Sequence, residues 1–362
     1  MTALADRLAA RTLELVDIPS PSGDEEAIRE HLLTLVPPQL ATAFAGDEAF
    51  LFLPERRPGA PLVVLAGHYD TVPAQGNLPG RLADGAVHGL GASDMKGGLA
   101  VALELVRDTA GRAENAWDVG LLLFGREELP AEHNPLPALF AGAPALAQAA
   151  LAILLEPTAG RIEAGCLGNV LARVVFPGRS GHSARPWEAD NALAHALRAL
   201  APLADLEPRR VEVAGLTFVE TLSVTRLEAG IADNVIPDRA TATLSFRYAP
   251  DRTPAEAEER LRALLPPPAE LEVVGNSPPG GVVADAPSVR ALLDAGALGL
   301  QPKLAWTNVA DFTARGIDAV NFGPGDPAYA HRRDELVRVD ALVHAYETLR
   351  RFLRTPMRED AG

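Results

Sequence analysis

Three short apolar runs in the first half of the chain most constrain its fold. They are residues 61–66, 119–124 and 151–155, and each is continuous rather than alternating. A run of this kind is typical of a strand that is buried on both faces of a sheet. Two intervening segments, residues 97–106 and 136–149, have helical spacing. Buried strands that alternate with helices predict an α/β fold in which helices flank a mixed, mostly parallel sheet.

The pattern changes from about residue 171. Alternating segments that resemble half-exposed strands occur at residues 173–176, 217–225 and 241–248. Two helical patterns, residues 191–201 and 254–265, lie among them. This combination predicts a second, smaller α+β domain whose sheet has one exposed face.

The charge balance limits the partners that the protein can have. Acidic residues outnumber basic ones by 48 to 33, which gives a formal net charge of −15. A nucleic-acid partner is not expected, because binding to phosphates needs a basic surface. An anionic membrane surface is disfavoured for the same reason.

Cysteine usage and the amino-terminal segment predict the compartment. Cys166 is the single cysteine, which excludes an intrachain disulfide and suits a reducing cytoplasm. The first ten residues include Asp6 and Arg7 and no long apolar run, so a signal peptide is not expected. Nor does any segment reach the roughly 18 uninterrupted apolar residues of a membrane span. We therefore expect a cytoplasmic protein.

Each apolar run leads into residues of the types that bind metals. The first run is followed by His68 and Asp70, the second by Glu127 and Glu128, and the third by Glu156. In open α/β sheets the binding crevice lies outside the carboxyl ends of the strands, where these side chains would converge. We expect Asp70 to orient the ring of His68 and raise its basicity without binding a metal itself.

Two further segments supply the remaining ligands. Asp94 lies in a loop of small residues that leads into a helix, and His331 follows the turn at residues 323–326. Imidazole and carboxylate ligands suit zinc or a similar divalent ion. Two such ions would offset the charge of about five crowded carboxylates. Paired ions need a bridging ligand, and we assign Asp94 to that role.

The adjacent glutamates receive different roles. Their side chains diverge at a strand end, so Glu128 is assigned to a metal and Glu127 to general base catalysis. Glu127 would take a proton from the attacking water and deliver it to the leaving nitrogen. Arg126 directly precedes the pair and could shift the pKa of Glu127.

Five motifs, taken in order along the chain, are GHYDTVP, GASDMKGG, REE, LLEPT and AHRRDE. Together they resemble the zinc-dependent family that includes succinyl-diaminopimelate desuccinylase, aminoacylases and related carboxypeptidases. The resemblance implies two zinc ions per subunit, with Co2+ or Mn2+ as alternatives. One ion would take His68, Asp94 and Glu156. The other would take Asp94, Glu128 and His331.

The resemblance also implies how the domains are organised. A metal-binding catalytic domain would comprise residues 1–170 and 282–362. Residues 171–281 would form an inserted dimerisation or lid domain, and the protein would be a homodimer. An exposed sheet edge in the smaller domain is a natural place for that pairing.

Three residues of the inserted domain match positions that act on substrate in the family. His182 resembles a histidine that reaches the partner's active site and stabilises the oxyanion, while Asn234 and Arg247 resemble substrate-binding positions. Arg247 would grip a substrate carboxylate with its guanidinium fork. Structural interpretations remain open for all three: a surface turn for His182, a turn cap for Asn234 and a surface ion pair for Arg247.

The ligands themselves have similar alternatives. A lone histidine such as His68 is more often structural, and a strand could simply end at Glu156. His331 adjoins a charged stretch, residues 332–335, that could be a solvated loop. The ordered set of motifs favours the metal site over these alternatives.

Within the family, the chain most resembles the actinobacterial type of succinyl-diaminopimelate desuccinylase. The stretches that indicate this are REELPAEHNPL, GRSGHSARPWEADNA, IADNVIPD and NFGPGDPAYAHRRDE. The implied function is hydrolysis of the small anionic molecule N-succinyl-LL-2,6-diaminopimelate to succinate and LL-2,6-diaminopimelate. The alternatives are an N-acyl-amino-acid deacylase, an acetylornithine-type deacetylase, or a metallo-carboxypeptidase or dipeptidase. A metal-binding dimer without catalysis is disfavoured, because Glu127 and Asp94 are both present.

Overall fold

The computed structural model describes residues 2–356. Its α-helices are α1 Ala3–Val16, α2 Glu26–Leu35, α3 Gly97–Thr109, α4 Leu136–Gly142, α5 Ala192–Ala204, α6 Pro254–Ala263, α7 Pro287–Asp294, α8 Val309–Thr313 and α9 Val339–Arg354. Its strands are β1 Leu40–Ala45, β2 Ala49–Pro54, β3 Leu62–His68, β4 Arg81–Ala83, β5 Ala86–His88, β6 Asp118–Phe124, β7 Ala149–Leu154, β8 Ile162–Cys166, β9 Gly168–Pro177, β10 Gly181–His182, β11 Arg209–Val213, β12 Leu216–Ala229, β13 Val235–Ile236, β14 Arg239–Tyr248, β15 Glu270–Ser277, β16 Leu300–Lys303, β17 Ala319–Asn321 and β18 Leu336–Arg338.

The chain divides into two compact units. The larger unit takes the described parts of Met1–Ala164, Val283–Gln301 and Asp311–Gly362. The smaller unit takes Gly165–Val282 and Pro302–Ala310. Among residues 2–356, no helix has the length and hydrophobicity that crossing a bilayer requires.

The main sheet has the strand order β1-β2-β6-β3-β7-β17-β8-β16. The neighbours β6, β3, β7 and β17 run parallel to one another, while β1, β2 and β8 pair antiparallel. All residues of β3 and β6 are buried, as their continuous apolar sequences predict. The predicted α/β fold with a mixed sheet is therefore confirmed, and four adjacent parallel strands present their carboxyl ends side by side.

Close backbone contacts hold the loop before α3 against this edge of the sheet. A β-carbon at Gly98 would clash with the carbonyl oxygen of Leu155, and one at Gly325 would clash with the carbonyl oxygen of Ser93. Glycine is therefore required where these segments meet. The packing places the residues before α3 next to the end of β7 and to the chain that follows β17.

The smaller unit has a five-stranded antiparallel sheet of order β11-β12-β14-β9-β15. Alternate residues of β14 are buried, and its inward side chains pack with those of β9 against α5 and α6. The opposite face is more exposed, which confirms the α+β pattern with one covered face that the alternation predicts.

One predicted helix is wrong. Residues 136–149 form α4, a short 3₁₀ turn at Pro144–Gln148 and the start of β7 instead of one helix. Pro144 causes the break, because a proline cannot donate the next helical hydrogen bond and disfavours helical backbone in the residue before it.

Candidate metal centre

The ends of three adjacent parallel strands carry the predicted cluster. His68 is the last residue of β3, Glu127 and Glu128 follow β6, and Glu156 follows β7. Because these strands are neighbours and parallel, their carboxyl ends lie together at one edge. The structure thus brings together side chains that are far apart in the sequence.

His68 is buried and lies between three carboxylates. Its Nε2 atom lies 3.2 Å from Oδ1 of Asp94 and 3.9 Å from Oε1 of Glu156. On the other side of the ring, Nδ1 lies 3.1 Å from the carbonyl oxygen of Asp70 and 3.4 Å from its Oδ1. Burial lowers the pKa of His68, but the hydrogen bonds to Asp70 and Asp94 outweigh it and raise this pKa well above its ordinary value.

Asp70 connects the ends of β3 and β6. Its carboxylate accepts hydrogen bonds from the backbone N–H groups of Glu127 and Glu128 at 3.1 and 3.2 Å. The hydroxyl of Ser22 donates a third at 2.6 Å. Burial raises the pKa of Asp70, but His68, Ser22 and the backbone donors hold it below its usual value. Asp70 therefore stays ionised, and it orients both His68 and the Glu127–Glu128 turn.

A second group of side chains meets on the other side of Asp94. The Nε2 atom of His331 lies 2.8 Å from Oε1 of Glu128 and 3.6 Å from Oδ2 of Asp94. The hydrogen bond to Glu128 raises the pKa of His331 to about 9. His331 is half-exposed and has a left-handed backbone with φ of 61°. A non-glycine residue in this region is uncommon and often marks a functional position.

The donor set fits divalent cations. One ligand atom each from His68, Asp94 and Glu128 lies within 4.8 Å of the other two. The two oxygens of Asp94 face different imidazoles, Oδ1 towards His68 and Oδ2 towards His331. Two imidazoles and several carboxylates form the nitrogen and oxygen set that zinc and similar ions prefer.

Glu127 lies beside this cluster and is partly exposed. Loss of hydration raises the pKa of its carboxyl well above the ordinary value, and the charges of Glu156, Glu128 and Asp94 raise it further. A carboxyl with a raised pKa can both accept and return a proton near neutral pH.

Arg126, which directly precedes Glu127, places its guanidinium 3.4 Å from the carboxylate of Glu48. The side chains of Arg29 and Tyr69 also contact that carboxylate.

Sequence reasoning missed three residues that support the cluster. The carboxylate of Glu335 accepts hydrogen bonds from the backbone N–H groups of Ser93 and Asp94. Burial raises the pKa of Glu335 to about 7, against the effect of these donors. Ser22 holds Asp70, and the sulfur of Met95 accepts a hydrogen bond from the backbone N–H of His68 at 3.4 Å. Residues that support a ligand through a backbone N–H group, or that hold a neighbouring carboxylate as Ser22 does, have no marker in a single sequence.

The smaller unit holds the other three predicted residues. Exposed His182 lies on β10, which pairs with β13, and exposed Asn234 immediately precedes β13. The carbonyl of Asn234 accepts a hydrogen bond from Ser183 at 3.0 Å. Half-buried Arg247 is near the far end of β14, beside Asn169 of β9. His182 and Asn234 are therefore neighbours, and Arg247 is separated from them by most of the length of β14.

An α/β sheet with a histidine and carboxylates at the carboxyl ends of its parallel strands is an arrangement typical of metal-dependent hydrolases. The chain belongs to the peptidase family M20/M25/M40, whose model matches residues 64–355. This membership identifies an enzyme that hydrolyses an amide bond.

Similar proteins span nearly the whole chain. A succinyl-diaminopimelate desuccinylase from Corynebacterium glutamicum is 38% identical over 352 residues, which cover 94% of this chain and 95% of the relative. A relative from Mycobacterium tuberculosis is 38% identical over 348 residues, covering 94% and 96% of the two chains. Among solved structures, an M20 family metallo-carboxypeptidase from Sulfolobus solfataricus superposes with a TM-score of 0.76 at 19% identity, covering 98% and 99% of the two chains. The similarity to the Sulfolobus solfataricus structure concerns the fold alone.

Proposed function

We propose that the protein hydrolyses N-succinyl-LL-2,6-diaminopimelate, with water as the second reactant, to succinate and LL-2,6-diaminopimelate. The observation that carries the proposal is the meeting of two histidine–carboxylate groups at Asp94, next to the Glu127 carboxyl. The choice of substrate is supported by the near full-length identity to the desuccinylase of Corynebacterium glutamicum.

Two divalent cations fit the cluster, and zinc suits its ligands best. His68, Asp94 and Glu156 would hold one cation, and Asp94, Glu128 and His331 the other. When bound, such a pair polarises the scissile carbonyl and makes water more acidic. The residues of the chain then have to position the substrate, move a proton and stabilise the developing negative charge.

Glu127 would move the proton. It would accept the proton of the attacking water at its carboxylate and pass it to the nitrogen of the leaving amine, so that it ends each turnover in its starting state. Its position next to Glu128 and its raised pKa support this role. Asp70 supports it too, because it fixes the backbone N–H of Glu127.

His182 would donate a hydrogen bond to the oxyanion. Its Nδ1 atom accepts a hydrogen bond from the backbone N–H of Ala184 at 3.0 Å. In the neutral imidazole the proton must then be on Nε2, the nitrogen that is free to donate to a developing oxyanion. Arg247 would bind a substrate carboxylate and Asn234 a polar group of the substrate.

The distance between these residues favours a homodimer. Arg239 to Arg247 spans eight steps along β14, or roughly 26 Å at about 3.3 Å per residue. His182 and Asn234 lie near the amino-terminal end of β14, and Arg247 lies near its carboxyl-terminal end. A single small substrate cannot span both groups. We therefore infer that His182 and Asn234 act on the substrate that a partner subunit binds with its own Arg247.

The smaller unit offers a surface for this pairing. Strand β11 pairs with residues 216–220 of β12, which leaves the remainder of that edge uncovered within residues 2–356. Exposed apolar side chains occur in the same unit: Leu227 on β12, Ile231 just after this strand at 90% exposure, and Trp187 at 75%. Unpaired strand edges and exposed apolar groups favour association with a second copy.

A substrate panel tests the proposal. The zinc-loaded protein should release succinate from N-succinyl-LL-2,6-diaminopimelate with a higher kcat/KM than it shows for N-acetylornithine, other N-acetyl amino acids or dipeptides. The Glu127→Gln variant, purified in the same way, controls for contaminating hydrolases. Faster cleavage of an acetylated amino acid or a dipeptide would instead favour the deacylase or peptidase alternatives.

A further inference from the structure

Glu335 lies four residues after His331, a candidate metal ligand. It is unusual for a glutamate because its side chain is buried, with the residue 2% exposed. Its Oε1 atom accepts hydrogen bonds from the backbone N–H of Ser93 at 2.9 Å and of Asp94 at 3.0 Å. A buried carboxylate is costly unless such donors satisfy it, so this arrangement needs the loop in one conformation.

The loop that Glu335 contacts cannot hold this conformation by helical hydrogen bonds alone. Asp94 has φ of −123° and ψ of 93°, and Met95 is also non-helical, so the regular pattern is interrupted at the proposed bridging ligand. Backbone N–H groups in such a turn need acceptors from elsewhere in the molecule.

Glu335 also ties this loop to the segment that carries His331. Its backbone carbonyl accepts a hydrogen bond from Gly89 at 3.0 Å. The hydroxyl of Ser93 donates to the carbonyl of Asp326 at 2.9 Å, which adds a second link between the two segments. The relative position of Asp94 and His331 therefore depends on the contacts of residue 335 together with the bond between Ser93 and Asp326.

We propose that Glu335 is a positioning residue that fixes Asp94 as the bridging ligand and sets its distance from His331. The inference rests on the proposed metal-binding role of Asp94. Removing an outer group that orients a metal ligand typically weakens metal binding by about 10- to 100-fold. Glu335 acts here on the backbone of the ligand instead of on its carboxylate.

Titration with Co2+, followed by visible absorption and calorimetry, tests this role. Glu335→Asp shortens the side chain and should weaken Co2+ binding by about 10- to 100-fold and change the absorption spectrum. Glu335→Gln keeps an oxygen that can accept both N–H groups and should be less affected than Glu335→Asp. Desuccinylase assays should show a lower kcat with little change in KM.

Asp334→Asn is the matched control, because it removes the neighbouring negative charge from a side chain that is exposed and paired with Arg332. It should bind Co2+ as the unaltered protein does. Co2+ affinities and spectra in both Glu335 variants equal to those of the unaltered protein would overturn the inference, as would a fall in melting temperature alone. An unaltered protein that binds two Co2+ ions but lacks desuccinylase activity would refute the proposed function and leave the role of Glu335 standing.

Discussion

The Nε2 atom of His331 lies 2.8 Å from the carboxylate of Glu128, although 203 residues separate the two in the sequence. Glu128 follows the parallel strand β6, whereas His331 lies beyond the turn that follows β17. The fold brings them together with Asp94, whose second carboxylate oxygen is 3.6 Å from the same imidazole nitrogen. This convergence connects the sheet topology to the proposed chemistry.

Glu127→Gln should reduce kcat by about 10²- to 10⁴-fold, because a general base contributes about that factor and the amide cannot accept the proton. The metal content should stay the same, since Glu128 and the other ligands are retained. Steady-state kinetics and elemental analysis measure the two quantities. Glu132→Gln, at an exposed position nearby, is the control. A Glu127→Gln variant with nearly normal kcat would refute the assigned base.

Removing metal should lower the melting temperature by about 5–10 °C, given a stabilisation of a few kcal/mol by tightly bound ions. Without cations, the carboxylates of Asp94, Glu127, Glu128 and Glu156 repel one another or take up protons. Calorimetry before and after treatment with a chelator measures the shift, and adding Zn2+ back should reverse it. A melting curve that does not change with chelation contradicts the proposed cluster.

Metal affinity should increase as the pH rises from about 6 to about 9. In the metal-free protein, the hydrogen bond to Glu128 raises the pKa of His331 to about 9, so its ring is protonated at pH 7. The bond between the protonated His331 ring and Glu128 stabilises the metal-free fold. This stabilisation is complete below the ordinary histidine pKa and is lost as the pH rises through about 9. A cation needs the neutral ring, so its binding must release this proton.

Calorimetry in buffers with different ionisation enthalpies counts the released protons. His331→Gln should release about one proton fewer than the unaltered protein, whereas His133→Gln, at an exposed site, should release the same number. Equal proton release in all three proteins would show that His331 does not bind the metal.

Two inactive variants should restore activity when they share a dimer. In a mixed dimer of Glu127→Gln and His182→Ala, one site has an intact Glu127 and receives an intact His182 from the partner. If subunits exchange at random, about a quarter of the normal activity should appear. Assays after co-expression measure it, with each variant alone as the control. Activity no greater than the sum of the separate variants would exclude action of His182 across subunits.

The sequence predicted the parts of the fold that depend on local patterns. The continuous apolar runs identified β3, β6 and β7, because strands buried on both faces need apolar residues throughout. The short antiparallel strands β2 and β8 were not predicted, since their pairing depends on neighbours that are distant in the sequence. The helix predicted over residues 136–149 failed at Pro144.

The residues of the candidate site were predictable because an ordered set of motifs carries them, although each histidine or carboxylate alone also has a structural interpretation. Their assignment as ligands stays a prediction, although the structure brings the five side chains together. Glu335 could not be predicted, because it lies in a charged stretch that resembles a solvated loop and its partners are backbone N–H groups. The separation of His182 from Arg247 was likewise evident only when the register of β14 was known.

Anomalous diffraction at the zinc absorption edge, from crystals of the zinc-loaded protein, tests the proposed metal centre by locating the ions. Two peaks about 3.5–4 Å apart are expected, with Asp94 between them. One peak should contact His68 and Glu156, and the other should contact Glu128 and His331. Zinc-loaded crystals with no peak at Asp94, or with the ions bound elsewhere, would contradict the proposed metal centre.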